Sequence, residues 1–166
     1  MTAARQQRKS PITLGLALGI GIFAGIFASP AILAAPSDRI VVDAHTGLAI
    51  SGFDPVAYFT DAKPKVGRPD MELRFDGTVW RFRNEGNRAS FKAHPEIYAP
   101  QFGGYDPVDL ARGITVAGNP RFWVIAGQRL YLFGFEEHRD AFAANPQPSL
   151  REANARWYVL EQELAQ

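Results

Sequence analysis

Gly52-Phe53-Asp54-Pro55-Val56 and Gly104-Tyr105-Asp106-Pro107-Val108 are two versions of one stretch, and reading them as a pair decides the fold. A spacing of about fifty residues marks a tandem supersecondary unit. Downstream, Gly67 and Pro69 answer to Gly118 and Pro120 in a register one residue shorter, as a single deletion would leave it. The shortened register then holds: Trp80 falls on Tyr131, Phe82 on Phe133, Asn87 on His138, Arg88 on Arg139, Phe91 on Phe142, Ala93 on Ala144 and Pro95 on Pro146. Aromatic, basic and proline positions recur together at one offset, which favours duplication over chance recurrence of common residues.

Each copy carries the same local signals. Asp54-Pro55 predicts a short helical turn, because Asp at the N-cap accepts one free amide and Pro at the first position removes another. Met71 to Arg83 alternates around Asp76-Gly77, a dipeptide suited to a type I′ turn, so it predicts a β-hairpin packing through Leu73, Phe75, Trp80 and Phe82. Asn84 caps a helix running to about His94 that turns Phe91 inward and stops before Pro95. The second copy repeats the plan with Asp106-Pro107, strands over Arg121 to Ile125 and Arg129 to Phe133, and a helix over Glu136 to Ala144. A final amphipathic helix is expected over 149–164, with Ser149 and Glu152 as a capping box and Ala153, Trp157, Leu160 and Leu164 on one face.

The expected fold class is therefore α+β: two degenerate turn, β-hairpin and helix units packed into one domain over 48–166, closed by a C-terminal helix. Repeat 1 covers about 52–95 and repeat 2 about 104–146. Neither unit is large enough to bury its aromatics alone, so an apolar interface between them is expected. The hydrophobic share of 46% suits a globular core. A formal net charge of +1 gives no field to draw in nucleic acid. With zero cysteines, disulfides, thiolate metal sites and a cysteine nucleophile are excluded.

Ahead of the domain, residues 1–11 form a basic region with Arg5, Arg8 and Lys9, and 12–35 is a charge-free run from Ile12 to Ala35. Such a run is a signal peptide or a transmembrane anchor. Cleavage after Ala35 puts Leu33 where a small residue is wanted, and cleavage after Ala34 puts Ile32 there, so the anchor stays open beside the signal. Both place the body in the periplasm or on the outer face of a bacterial inner membrane. Residues 36–47 read as a linker, with Ile40-Val41-Val42 a short strand that packs or hangs free.

Four spaced motifs carry a resemblance: Gly52-Phe53-Asp54-Pro55-Val56-Ala57-Tyr58-Phe59, Trp80-Arg81-Phe82, Asn87-Arg88-Ala89-Ser90-Phe91, and Tyr98-Ala99-Pro100-Gln101-Phe102-Gly103-Gly104-Tyr105. In that order they resemble the YHS-domain family, most of all its exported single-domain bacterial branch, over about Leu48 to Tyr105 with a weaker tail to Trp157. The resemblance implies a small binding or accessory module. Modules of this kind attached to metal-transport ATPases and oxygenases are thought to hold metal through cysteines. Where such modules carry cysteine after Asp-Pro-Val, this chain has Ala57 in the first copy and Asp109 in the second, so that metal site does not carry over.

Chemistry without cysteine falls to oxygen and imidazole. His45, His94 and His138 are the only histidines, and no two stand at the spacing by which one helix chelates a metal. His45 falls in the linker, His94 at a helix end where capping competes with ligation, and His138 at an exposed helix start. A transition metal would have to be assembled by tertiary folding from Asp54, His94, Asp106 and Asp109; no cofactor is otherwise expected. Asp54 and Asp106 read as turn caps, or alternatively as a facing acid and base pair. No serine stands in a nucleophile elbow. The loop Tyr98, Gln101, Phe102, Gly103, Gly104 and Tyr105 offers stacking faces and free backbone for a small ligand or protein partner, or else merely joins the repeats. The favoured reading is an extracytoplasmic binding module, tied to the membrane through its N-terminal segment. The alternatives are a metal-binding protein with Asp and His ligands, or a hydrolase or oxidoreductase using Asp, His and Tyr.

Overall fold

The alternation of polar and apolar residues in one hairpin and its loss in the other set how the two halves stack. In a computed structural model, residues 39–163 are described; the basic N-region, the apolar segment 12–35, linker positions 36–38 and Leu164 lie outside them. After a 3₁₀ turn at Ile50–Gly52 come α1 (Ala57–Thr60), β1 (Arg68–Phe75), β2 (Thr78–Phe82), α2 (Glu85–Ala93) and α3 (Pro95–Tyr98). A second 3₁₀ turn at Gln101–Gly104 leads into α4 (Pro107–Leu110), β3 (Asn119–Ala126), β4 (Arg129–Phe133), α5 (Glu136–Ala144) and α6 (Gln147–Glu163). The class is α+β with a C-terminal helix.

Element order, turn, short helix, hairpin and helix, is the same in both halves, and so are the irregularities. Each hairpin is an antiparallel pair whose register slips in one place, between Arg68 and Glu72 in the first and between Asn119 and Trp123 in the second. Both tight turns use two left-handed residues, Asp76 (φ 47°) with Gly77 (76°) and Gly127 (56°) with Gln128 (60°), the type I′ geometry that matches strand twist. Three consecutive positive φ values recur at Ile50, Ser51 and Gly52 and again at Phe102, Gly103 and Gly104. A β-branched residue in that region is strained, and packing must hold Ile50 there: it is 1% exposed in the core.

The sheets play different parts. In β2, Thr78, Trp80 and Phe82 turn inward while Val79 and Arg81 are only half-buried, so this sheet has one buried face. In β4 the residues after half-buried Arg129 are all buried: Leu130 and Leu132 join the first core cluster, with Trp80, Phe82 and Phe91, while Tyr131 and Phe133 join the second, with Phe142, Leu110 and Ala153. Since neighbouring strand residues face opposite ways, the second sheet lies between the two clusters. Phe91 from α2 sits 4.8 Å from the Trp80 ring, and Phe142 from α5 sits 5.0 Å from that of Tyr131. Trp157 of α6 covers Phe102 at 5.8 Å.

Tyr58 ties the halves together. Its hydroxyl donates to the carbonyl of Pro120 at 2.8 Å and its ring meets Trp123 edge-on at 5.3 Å. Burial, with the Asp54 carboxylate adding to it, pushes the phenol above its ordinary value, so it stays a donor. Tyr58→Phe should cost about 1–3 kcal/mol in urea unfolding, because the buried carbonyl is left without a partner; an unchanged midpoint would show that the bond contributes nothing.

One open expectation is decided and another changes. Residues 39–47 take the packed alternative: Val41 donates to the Gly103 carbonyl at 2.8 Å, and Val42 pairs with Ala49 in an isolated bridge. Helix α6 begins at Gln147, which puts Ser149 inside its first turn, where it is not the cap. Pro148 is tolerated there because first-turn amides have no intrahelical partner. Among the described residues no helix is long and apolar enough to cross a membrane.

Candidate polar site in the second half

Asp54 and Asp106 begin equivalent turns, and the backbone treats them alike. Asp54 Oδ1 accepts from the Val56 amide at 2.9 Å, while Oδ2 accepts from the Arg83 amide at 2.7 Å and from Asn87 Nδ2 at 2.6 Å. Asp106 Oδ1 accepts from the Val108 amide at 2.8 Å, and its Oδ2 from the Gly134 amide at 2.8 Å. Each carboxylate clamps its turn to the end of its hairpin and to the helix that follows. Both are fully buried, and amide donors are what make a buried carboxylate tolerable. Asp106 is the N-cap of α4 as expected, whereas α1 has Val56 at its cap, so Asp54 holds the turn ahead of that helix instead of capping it.

The halves diverge at the remaining contact. Where Asn87 meets Asp54, His138 Nδ1 meets Asp106 Oδ2 at 2.8 Å. Where Ala57 follows the first turn, Asp109 follows the second and is 6% exposed. Its Oδ2 lies 3.6 Å from His138 Nδ1, beyond hydrogen-bond reach. That oxygen and Arg39 Nε are buried without a hydrogen-bond partner among the described residues. Asp109 Oδ1 is held weakly, by Arg112 Nη1 at 3.4 Å from a side chain 61% exposed. Donor atoms of Asp106, Asp109 and His138 lie within 4.8 Å of one another. Phe135, at the position where Asn84 caps α2, offers no cap to α5 and instead sets its ring 5.2 Å from the imidazole, edge to face.

His138 is thus not the exposed helix-start residue expected from its place in α5: its side chain is 18% exposed and its ring is engaged. The signal was in the register, which put it on Asn87, but a hydrogen-bonding role for Asn87 was not apparent until the turns were folded. Of the other metal candidates, His94 caps the end of α2 with its ring in solvent beside Glu96 at 3.3 Å. Asp54 has its oxygens filled within the first half. His45 is exposed at the start of the domain. Of the named candidates Asp106 and Asp109 come together, and His138 joins them.

The linking loop is less open than its composition suggests. Phe102, Gly103 and Gly104 are buried, while Tyr98, Gln101 and Tyr105 are half-buried. Phe102 belongs to the second core cluster, so its ring is a packing group and not a stacking face, which corrects that part of the expectation. Tyr98 packs edge-on against Phe59 at 5.3 Å, and Tyr105 lies tilted against Trp157 at 6.3 Å. Comparison with protein-family models, with curated proteins and with solved structures finds no match for this chain.

Proposed function

We propose that this chain is an extracytoplasmic YHS-like binding or accessory module, held at the membrane or released into the periplasm, whose ligand is engaged in the second half. The observation that carries the reading is Asp109 Oδ2: a carboxylate oxygen buried without a hydrogen bond among the described residues, beside two further ligand-type groups. Folding leaves such an atom only at a cost, and sites that bind are where that cost is retained. The enzyme alternative has less support, because one Asp–His pair, Asp106 with His138, comes together while the other residues it named stand elsewhere. Asp54 is saturated in the first half, His94 stands in solvent, and Tyr105 packs on Trp157, whereas acid, base and substrate group must converge.

The test is native mass spectrometry of the full-length chain recovered from the envelope of a Gram-negative host. A non-covalent mass adduct is expected on the wild-type chain and not on Asp109→Ala. A chain that carries no adduct in either form would sink the proposal, and an adduct lost in Tyr105→Ala but kept in Asp109→Ala would move the contact to the linking loop.

A further inference from the structure

We infer that the ligand of the second half is a single divalent first-row transition-metal ion, of the zinc or manganese type, held by Asp106 Oδ2, Asp109 Oδ2 and His138 Nδ1. The inference rests on the binding reading above and names its ligand. Three lines of argument lead to it.

The first is spacing. Ligand atoms about 2.1 Å from a metal stand roughly 3.0 Å apart in an octahedron and about 3.4 Å apart in a tetrahedron. His138 Nδ1 is 2.8 Å from Asp106 Oδ2 and 3.6 Å from Asp109 Oδ2. These two values bracket the required edges, and the ligand atoms of the three residues all lie within 4.8 Å of one another.

The second is the unfilled oxygen. A proton cannot do what the ion would do. Protonated or neutral, the imidazole has at most one N–H on Nδ1, and at 2.8 Å it goes to Asp106, leaving Asp109 Oδ2 without a hydrogen bond among the described residues. A cation in place of that proton meets all three donors together. Two carboxylates also supply the charge that balances a divalent ion, and His138, the most exposed of the three, marks the entry side.

The third is the first half, which serves as an internal comparison. There the same turn and helix carry Asp54, Ala57 and Asn87, an acceptor, a methyl and an amide donor, and the Asp54 carboxylate takes three donors. Side-chain exchange at two positions converts a closed hydrogen-bonded cap into a ligand set, on a backbone that needs neither change in order to fold.

Donor chemistry narrows the ion. One imidazole with two carboxylates suits zinc, manganese, iron(II) or cobalt. Copper(I) wants sulfur, which the chain lacks in cysteine, and calcium wants six to eight oxygens, which two carboxylates do not approach. Three protein donors leave positions open to water.

The test uses the full-length chain, equilibrium dialysis against zinc, manganese, cobalt and calcium, and the visible spectrum of the cobalt form. Expected are one ion per chain, preference for zinc or manganese over calcium, and a cobalt spectrum of nitrogen and oxygen ligation. His138→Asn and Asp109→Ala install the residues of the first half and so should fold. Each should weaken the ion by more than about 100-fold, since loss even of outer contacts costs 10–100-fold. No binding of zinc, manganese or cobalt, or binding indifferent to both variants, overturns the inference. If those ions fail while Asp109→Ala still strips the native adduct, the metal inference falls and the binding reading stands; if no adduct exists either, both fall.

Discussion

Leu132→Ala should lower stability by about 2–5 kcal/mol, a large share of what a domain of this size possesses. Leu132 is fully buried, so truncation loses the transfer free energy of the side chain and leaves a cavity that rigid neighbours fill only in part. The more telling expectation is where the loss is felt. Leu132 stands on β4, in the second half, yet it packs in the cluster of Trp80, Phe82 and Phe91 from the first. Chemical denaturation followed by tryptophan fluorescence and by circular dichroism should therefore give one coincident transition, shifted as a whole. Two separated transitions, with the first half unaffected, would mean that the halves are independent and that the packing across β4 does not couple them.

That coupling was half legible in the residues. Thr78-Val79-Trp80-Arg81-Phe82 alternates, and β2 indeed has one buried face. Leu130-Tyr131-Leu132-Phe133 does not alternate, and a run of this sort reads as a strand covered on both sides. The register shared with β2 points to a strand, and the break in alternation tells that it is covered on both faces. The helix ends were legible too: Asn84 accepts from the Asn87 amide at 2.8 Å as a cap should. Ser149 misled because its capping pattern was met two residues inside a helix whose start is set by the chain leaving α5, which is a tertiary matter.

The candidate site was less legible, for a physical reason. Asp106 and Asp109 are three apart and read as ordinary cap and first-turn acids, both favourable near a helix start. His138 is about thirty residues away and comes to them only because the hairpin returns β4 beside the turn. What marks the site is an oxygen left without a partner, and satisfaction of hydrogen bonds is a property of the fold, not of the composition. The comparison of Ala57 with Asp109 and of Asn87 with His138 was available in the register, and it gains meaning once Asp54 is seen to be complete without them.

The linking loop shows the opposite failure, in which a structural requirement resembles a functional one. Gly103-Gly104 beside aromatic residues reads as room for a ligand, yet Gly103 is where another part of the chain already lies. Its φ is 61°, and a Cβ there would overlap the Arg39 carbonyl oxygen and lie 2.8 Å from that carbonyl's carbon. The Gly103 carbonyl in turn accepts from the Val41 amide at 2.8 Å. Gly103→Ala should accordingly cost about 2–4 kcal/mol, from backbone strain together with overpacking against main chain that has no rotamer to yield. The control is built into the protein. Ser51 occupies the matching place in the first left-handed turn, at φ 53°, but is exposed, so Ser51→Ala should change stability by no more than about 0.5 kcal/mol. Hydrogen exchange gives the second readout: in Gly103→Ala the Val41 amide should exchange much faster than in the wild type, because the segment 39–41 has been pushed from its seat. If Gly103→Ala is as stable as the Ser51 variant and keeps the Val41 amide protected, the close approach of the two backbones is not what requires glycine, and the loop regains its claim to be a ligand surface.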